Sequence, residues 1–326
     1  MSDANHLLIP FAASTADGCR HALQGLTLPH LDRLLGRLAR SPALDAGEDT
    51  DFAPPHERAL ARHLGLQDGA AGHTPWAAWY QHQRRAPDAS APVQLASADA
   101  AAAFISPCQW HVTADRVTLV DPAALALDEA ASRQLLDILA PWFAEDGITL
   151  TYDQPTRWLA QGAVFDGLAT ASLDRVVQRD VRPWMPDAAR ARVLHRLHSE
   201  MQMLLYTHPF NDERAARGLP PVNAFWVHGA GRLDSRPAPV PPPEMPLALR
   251  DAALREDWSA WAAAWAAIDA GPVARLADHV AAGGIARLTL CGERSAMAWH
   301  TAPRGFWKKI SSLFSPQRFA DVRDQL

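Results

Sequence analysis

The chain alternates short, continuous apolar runs with longer segments in which apolar residues recur at helical spacing. The runs at 7–9, 222–228 and 287–291 have the length and composition of buried strands. Two longer segments place apolar residues three or four positions apart, which predicts helices with one face in a hydrophobic core. These stripes are Val193, Leu197, Met201 and Leu204 within 188–206, and Trp258, Trp261, Trp265 and Ile268 in a helix that begins near Glu256.

The pattern of predicted strands and helices in the middle of the chain differs from that of the flanking segments. It contains two pairs of short strands separated by a helix that Asp128 caps and Pro141 ends. The predicted strands lie at 110–112, 117–120, 148–152 and 158–159, and the predicted helix lies at 129–139. The sequence therefore predicts a smaller α+β domain at 96–235, inserted into an α/β domain formed by 1–95 and 236–326, with a cleft at their junction.

The segment 208–232 is the most informative stretch of the chain. Asn211 is placed to cap a short helix at 212–217, which Gly218 and two prolines end. The apolar run that follows predicts a buried strand. It ends in Gly229 and Gly231, where the backbone can approach a ligand or turn sharply.

Four side chains of this segment are candidates for binding an anion at the end of the strand: Asn211, Arg214, Asn223 and Arg232. Two guanidinium groups and two amides suit a phosphate or a carboxylate better than a metal ion. The alternative is a structural network, in which the asparagines cap the helix and hold the turn while the arginines pair with nearby carboxylates.

Composition excludes several classes of protein. With 326 residues, 48% of them hydrophobic and 21% charged, the chain is long enough and apolar enough for a sizeable core. A net charge of −5 argues against general nucleic-acid binding. The sequence shows no secretory signal pattern and no uncharged apolar run near the roughly 18 residues of a spanning helix. We therefore expect no membrane span and a cytoplasmic location.

Candidate metal ligands are sparse. Cys19, Cys108 and Cys291 are far apart and form no C-x-x-C pair, so we expect neither a structural zinc site nor a disulfide framework. His195 and His198 have a spacing that metal-binding helices use. On a charged helix face, however, such pairs are usually exposed surface residues.

The motif N-x-x-R-x-x-x-G-L-P-P-x-N-x-x-W-x-x-G-x-G, which begins at Asn211, resembles a block of archaeal-type, cofactor-independent phosphoglycerate mutases. With His208-Pro209 in front, the segment resembles the RpfE-type regulatory proteins of proteobacteria, which are degenerate relatives of those mutases. The run at 28–35 is similar to an early block of the alkaline phosphatase superfamily. The resemblance implies an α/β fold, with an alkaline-phosphatase-like, mostly parallel sheet flanked by helices and a smaller inserted α+β domain.

The resemblance also implies a ligand site. In the inserted domain of the mutases a strand leads to a loop that carries an arginine, and Arg157 has that position here. We therefore expect Arg157, Arg214 and Asn223 to line one polar pocket that faces the cleft, near Gly229 and Gly231. From the residues alone, Arg157 would be a solvated loop arginine.

The mutases need a phosphorylated serine and two divalent metals, usually manganese, and this sequence departs from that pattern at three places. Pro10-Phe11 stands where a metal-binding aspartate is expected. His56 stands where the serine is expected, and Gly292-Glu293-Arg294 replaces Gly-Asp-His. Arg294 would repel a metal ion.

We therefore expect no catalytic residue, no bound metal and no cofactor. The resemblance favours a non-catalytic regulatory or binding protein that takes a small phosphorylated or carboxylate ligand or a protein partner. The alternative is an active, manganese-dependent phosphoglycerate mutase or phosphotransferase with a rearranged site. A third class, a DNA- or membrane-associated adaptor, rests only on surface aromatics and the cationic, aromatic tail at 306–313.

Overall fold

The computed structural model of the protein describes residues 5–42, 45–66, 73–85, 100–235, 240–301 and 317–326. The strands in these ranges are β1 (Asn5–Ile9), β2 (Ala39–Arg40), β3 (Asp45–Ala46), β4 (Ala102–Val112), β5 (Val117–Val120), β6 (Thr149–Gln154), β7 (Arg157–Gln161), β8 (Ala224–Gly231), β9 (Ala286–Cys291) and β10 (Ser295–His300). The predicted tail at 306–313 lies outside the described residues.

The α-helices of the described ranges are α1 (Asp17–Gln24), α2 (Pro29–Leu35), α3 (Pro55–His63), α4 (Trp76–Arg85), α5 (Glu129–Glu145), α6 (Leu173–Val176), α7 (Arg192–Tyr206), α8 (Pro209–Ala216), α9 (Ala248–Leu254), α10 (Trp258–Ile268) and α11 (Ala274–Ala281). A π-helical turn, Asp269–Val273, joins α10 to α11. None of the helices in the described ranges combines the length and the apolar character that crossing a bilayer requires. The cytoplasmic location stays a prediction.

The chain forms two compact units. The first contains Met1–Asp49, Pro54–Leu66 and Ala238–Leu326, and the second contains Thr50–Ala53 and Gln67–Pro237. Helix α4 belongs to the second unit because it packs against β4 and β8. The domain boundaries derived from the sequence stay a prediction.

The first unit is built on a mixed sheet. β1 and β9 are parallel neighbours, with Leu7 opposite Leu288 and Ile9 opposite Leu290. β10 runs antiparallel to β9 and extends the sheet to β2 and β3. The predicted strands at 7–9 and 287–291 are confirmed as a parallel pair. β10 was not predicted, because the three residues between it and β9 were interpreted as a degenerate metal motif rather than as a hairpin turn.

Helices cover both faces of this sheet, as the alternation of side chains along β1 requires. Leu7 and Ile9 pack with α1, α2, α10 and α11, whereas Leu8 packs with Cys291 and with Leu60 of α3. Helices also pack on the sheet of the second unit. The predicted α/β class is therefore confirmed.

The tryptophan stripe of α10 is a principal part of this core, as predicted. Trp261 and Trp265 are fully buried, and Ile268 is nearly so. Trp258 is partly buried and lies over α1, with its ring where a Cβ of Gly18 would be. Only glycine fits at position 18 without displacing that ring.

A chain of hydrogen bonds crosses the first unit from β9 through β1 to α3. His6 Nε2 lies 2.9 Å from Thr289 Oγ1, His6 Nδ1 lies 3.2 Å from His63 Nδ1, and His63 Nε2 lies 2.9 Å from the Pro241 carbonyl. A carbonyl only accepts, so His63 Nε2 carries a hydrogen. With both rings neutral, His63 Nδ1 accepts from His6 Nδ1–H, and His6 Nε2 accepts from the Thr289 hydroxyl. Burial, His63 and Arg287 together lower the pKa of His6 to about 3.

The second unit contains an antiparallel sheet with β4 at its centre. β4 pairs with β8 over most of its length, with β7 at its first residues and with β5 at its last. β6 completes the sheet beside β7. Asp128 caps α5 as predicted, by accepting from the N–H of Ala131 at 2.8 Å. The prediction that Pro141 ends α5 is wrong, because the helix continues to Glu145. A proline inside a helix removes one backbone hydrogen bond, and here the helix continues despite that loss.

The predicted stripe on α7 also lies in a core. Leu197 and Met201 are buried, and Val193 and Leu204 are partly buried at its margin. His198, expected on the surface, is buried between the rings of Trp110 and Phe225. Burial lowers the pKa of His198 to about 4, and hydrogen bonds to the carbonyls of Phe225 and Leu194 oppose that shift. Its nitrogens lie against backbone carbonyls, at 3.0 and 2.6 Å.

Truncating Trp261 to alanine should lower the free energy of unfolding of the first unit by about 3–5 kcal/mol, because it opens a large cavity in the core. Trp142→Ala is the matched control, since Trp142 is 38% exposed. Denaturant titration followed by circular dichroism measures both. Equal, small effects of the two substitutions would contradict the assignment of Trp261 to the core.

The pKa of His6 predicts a loss of stability in acid. The unfolded chain binds a proton at His6 below a pH of about 6.5, whereas the folded protein binds it only near pH 3. Stability from this group is therefore present above pH 6.5 and falls by up to about 1.4 kcal/mol per pH unit as the pH drops toward 3. Between pH 7 and 5, wild type should lose more melting temperature than His6→Gln.

His21→Gln is the control for this experiment, because His21 is an exposed histidine on α1. It should follow the wild-type pH dependence. Parallel curves for wild type and His6→Gln would show that the His6 ring does not resist protonation.

Candidate functional site

The 208–232 segment forms α8, a turn and β8. The N-cap of α8 is His208, whose Nδ1 accepts from the Phe210 N–H at 3.1 Å. The prediction that Asn211 caps this helix is therefore wrong. The first helical residue is already the proline that follows His208. Gly218 has a positive φ of 70° just beyond the helix, which confirms the predicted termination.

The amide of Asn211 joins two parts of the second unit. Its Nδ2 donates to the carbonyls of Leu205 at 2.9 Å and Val222 at 2.8 Å, and its Oδ1 accepts from the Val222 N–H at 3.0 Å. Asn211 thus ties the end of α7 to the segment before β8.

Arg214 is almost completely buried in α8. Its Nε donates to the Pro220 carbonyl at 2.9 Å, and its Nη2 donates to the Leu125 carbonyl. Burial is the main cause that lowers the pKa of Arg214 below its usual range, and Arg217 adds to it. The first bond fixes the proline turn against α8, and the second joins α8 to the 3-10 turn Pro122–Leu125.

The side chain of Asn223, just before β8, forms two hydrogen bonds to the backbone of β4. The Trp110 N–H donates to Asn223 Oδ1 at 2.7 Å, and Asn223 Nδ2 donates to the Trp110 carbonyl at 3.0 Å. The amide therefore satisfies both backbone groups of Trp110, just beyond the last backbone pair of the ladder.

Arg157 lies at the start of β7, beside α4. Its Nε and Nη2 donate to Asp153 Oδ2 at 2.9 and 2.7 Å, and its guanidinium stacks over the rings of Tyr80 and Phe104. The other oxygen of Asp153 accepts from the Tyr80 hydroxyl at 2.7 Å and from Arg84 at 2.9 Å. Arg157 is therefore part of a network that joins the β6–β7 hairpin to α4.

Arg232 follows β8, where its guanidinium lies 3.6 Å from the carboxylate of Asp166. Of the five predicted ligand residues, Asn211 and Arg214 meet at the segment before β8, and Asn223 belongs to that segment. Arg157 and Arg232 have other partners. Arg157 and Arg232 pair with carboxylates, as the structural alternative expected, whereas Asn211 does not cap α8 and Arg214 donates to carbonyls. Binding of a ligand by the five residues stays a prediction.

A pocket of about 540 Å³ opens in the first unit at the carboxyl ends of β1 and β9. We call it the carboxyl-edge pocket. In open α/β sheets this edge is the usual place for a ligand, and the volume is typical of a small-molecule site. Its polar wall comes from the loops after β1 and β9, from α1 and from the C-terminal residues. The polar and charged side chains of its lining include Ser14, Thr15, Arg20, Glu293, Arg294, Arg323 and Asp324.

Glu293 joins the two loops that leave the parallel strands. Its Oε1 accepts from the Ser14 hydroxyl at 2.8 Å, and its Oε2 accepts from the Thr15 hydroxyl at 2.7 Å and the Thr15 N–H at 3.3 Å. The carboxylate therefore orders the floor of the pocket.

The loop after β1 is held by hydrogen bonds to its backbone, and the residue at its start has no side-chain atom that could bind a ligand. Phe11 has a left-handed backbone, with a φ of 53°, and its side chain is buried. The indole N–H groups of Trp261 and Trp265 donate to the carbonyls of Phe11 at 2.9 Å and Ala12 at 3.2 Å. His56, the second residue of α3, is buried with its ring 5.5 Å from that of Phe11.

A divalent metal pair does not fit the donors at this edge. Phe11 offers no side-chain ligand atom, and the cationic side chain of Arg294 repels a metal ion. Of the carboxylates that line the pocket, that of Asp324 is 88% exposed and lies 3.8 Å from Arg323, and that of Glu293 already accepts hydrogen bonds from Ser14 and Thr15. The residues present are donors and acceptors of hydrogen bonds rather than a metal cage.

The electrostatics of the pocket are mixed. Cys19 of α1 is buried, and burial raises the pKa of its thiol to about 11, with a further contribution from Glu293 and an opposing one from Arg323. The thiol is therefore protonated and unreactive at neutral pH. Glu293 and Arg294 belong to a segment that the sequence marks as unusual, whereas no sequence pattern marks Arg20 and Arg323. The signal that could have found them is the rule that ligands bind at the carboxyl edge of parallel strands.

No protein-family model and no curated protein matches the sequence. Solved structures that are similar to this one include the following two. A cofactor-independent phosphoglycerate mutase from Thermoplasma acidophilum has 14% sequence identity and a TM-score of 0.38, over 99% of this chain and 98% of that chain. The PH0037 protein from Pyrococcus horikoshii has 12% identity and a TM-score of 0.43, over 93% and 88%. Similarity this weak says nothing about activity or ligand.

The contacts of Asn223 predict a structural role that can be measured. Asn223→Ala should lower the free energy of unfolding of the second unit by about 1–3 kcal/mol, because it leaves the backbone groups of Trp110 without their partner. Arg232→Ala is the control and should change it by less than about 1 kcal/mol, since its ion pair with Asp166 is exposed. A stability loss that is no larger for Asn223→Ala than for Arg232→Ala would refute this role.

Proposed function

We propose that this protein is a non-catalytic binding or regulatory protein of the phosphoglycerate-mutase-like class, akin to the RpfE-type proteins that its 208–232 segment resembles. Its ligand is a small phosphorylated or carboxylate compound, and a protein partner would receive the regulatory signal. The proposal separates two things that a mutase combines, namely binding of an anionic metabolite and transfer of its phosphoryl group.

The observation that carries the proposal is the set of side chains at the carboxyl edge of β1 and β9. Phosphoryl transfer by two metals needs several carboxylates or imidazoles around the ions. At the corresponding positions this chain has Phe11 and Arg294, together with a glutamate that is engaged by two hydroxyl groups. His56 stands in place of the nucleophilic serine.

The alternative is an active metal-dependent phosphoglycerate mutase or phosphotransferase with a rearranged site. His56 and Glu57 favour it, because they are adjacent at the start of α3 and their side chains are of types that bind divalent metals. An imidazole can also accept a phosphoryl group. Manganese would then be held by residues other than those of the mutase pattern.

Metal analysis and an activity assay decide between the two. After purification with excess manganese, the protein should contain no stoichiometric metal and should not interconvert 2- and 3-phosphoglycerate. An authentic manganese-dependent mutase, assayed in parallel, is the positive control. Turnover together with bound manganese, both lost in His56→Ala but retained in His21→Ala, would establish the alternative and overturn the proposal.

A further inference from the structure

We propose that the outer face of α7 is a self-association surface, on which a second copy of this chain packs with its own α7 antiparallel to the first. We call this face the outer seam. It consists of Arg192, Arg196, Ser199, Met203 and Tyr206. The seam belongs to the second unit, and the inference depends neither on the ligand of the protein nor on whether the protein is catalytic.

The first observation is the exposure of the outer seam. All five residues are exposed, although the opposite face of α7 is buried in a core. Met203 is 76% exposed and Tyr206 86%, which are the highest values for large hydrophobic side chains in the part of the chain that the structure describes. Single exposed apolar side chains are ordinary, but these two lie three positions apart and are therefore neighbours on one helix face.

The spacing of the outer seam is that of a helix-pairing surface. Its residues are separated by four, three, four and three positions, which is the heptad spacing of two helices that pack along their length. Arginine, methionine and tyrosine are enriched at protein interfaces, and they hold every position of the seam except Ser199. The face therefore has both the spacing and the composition of an interface.

The order of the side chains favours an antiparallel pair. In a parallel pair the arginines of the two helices would meet each other. In the antiparallel pair Arg196 lies against Tyr206 of the second copy, and Ser199 lies against Met203 of the second copy. A two-fold axis repeats both contacts. The first contact is a cation–π pair, and the second places a long apolar side chain beside a short one.

The present partners of Arg196 and Ser199 are compatible with this packing. Arg196 donates to Asp146 and, at 3.1 Å, to Glu200, and its side chain is still 48% exposed. These bonds use N–H groups in the plane of the guanidinium, whereas an aromatic ring stacks on its face. The Ser199 hydroxyl donates to the His195 carbonyl at 3.2 Å, so this hydroxyl keeps a partner when the seam is covered.

Charges near the ends of α7 favour the same orientation. Arg192 is the first residue of α7, while Asp212 and Glu213 lie on α8, which begins three positions after α7 ends. All three are exposed, and none forms an ion pair with another described residue. An antiparallel second copy brings the start of one α7 beside the end of the other, and so brings these opposite charges closer together.

The size of the outer seam sets the expected affinity. The 15 residues of α7 form a helix roughly 22 Å long. One pair of such helices buries less than the roughly 1,600 Å² of a standard interface. We therefore expect a reversible dimer with a Kd in the micromolar range, so that the monomer and the dimer coexist in dilute solution.

The experiment is sedimentation equilibrium of the full chain from low to high micromolar concentration. Wild type should pass from monomer to dimer. Tyr206→Ala should raise the dimer Kd about tenfold or more, because each dimer loses two cation–π contacts. Met203→Glu and Ser199→Arg should raise it at least as much, because each places an unpaired charge in the seam.

Mixing two of these variants tests the antiparallel pairing itself. An equimolar mixture of Met203→Glu and Ser199→Arg should dimerise although neither variant does so alone. In the mixed dimer the new carboxylate of one copy faces the new guanidinium of the other, and the symmetry-related contact keeps its wild-type Ser199 and Met203. A mixture that stays monomeric overturns the antiparallel pairing.

Ile285→Glu is the matched control, because Ile285 is a hydrophobic residue of the first unit that is 49% exposed. It should dimerise like wild type, and circular dichroism should show that every variant is folded. A wild type that is monomeric at every concentration overturns the proposal and leaves the seam to a different kind of partner. A dimer that Tyr206→Ala and Met203→Glu leave unchanged uses another surface and overturns it as well.

Discussion

Two indole N–H groups of α10 hold the loop on which the first unit depends. The loop after β1 begins with Phe11 in a left-handed backbone conformation, which is unfavourable for a residue with a large side chain. Trp261 and Trp265 donate to the carbonyls of this loop, and the Ala12 N–H donates to the Cys291 carbonyl at 2.7 Å. These bonds hold the unfavourable conformation in place. In this conformation the loop places Ser14 within hydrogen-bond distance of Glu293, and both residues line the carboxyl-edge pocket.

In the second unit, backbone groups outside the regular sheet are satisfied by polar side chains instead of indole N–H groups. Where backbone pairing ends beside β8, Asn223 satisfies the backbone of Trp110, and Asn211 and Arg214 bind the carbonyls of the preceding turn. Several polar residues of the segment that carries the family resemblance therefore stabilise the fold through hydrogen bonds to the backbone. A motif of arginines and asparagines fits such a task as well as it fits an anion site, and the sequence alone does not separate the two.

The parts of the fold that depend on local periodicity were predictable, and those that depend on distant partners were not. The parallel strands, the buried Trp261 and Trp265 and the cap at Asp128 follow from apolar spacing and capping chemistry within a few residues. β10 was not predicted, because Gly292, Glu293 and Arg294 before it resemble a degenerate metal motif and not only a hairpin turn. The burial of His198 depends on the rings of Trp110 and Phe225, and the pocket joins loops and C-terminal residues from opposite ends of the sequence.

The pairing of β1 with β9 has a consequence for the order of folding. It joins the two ends of the chain, and contacts between such distant segments form late because closing a long loop is entropically costly. All strands of the second sheet lie within 102–231, so during synthesis that sheet can be completed before β9 has been made. We therefore expect the central pairing of the first unit, and with it the carboxyl-edge pocket, to form after the second sheet.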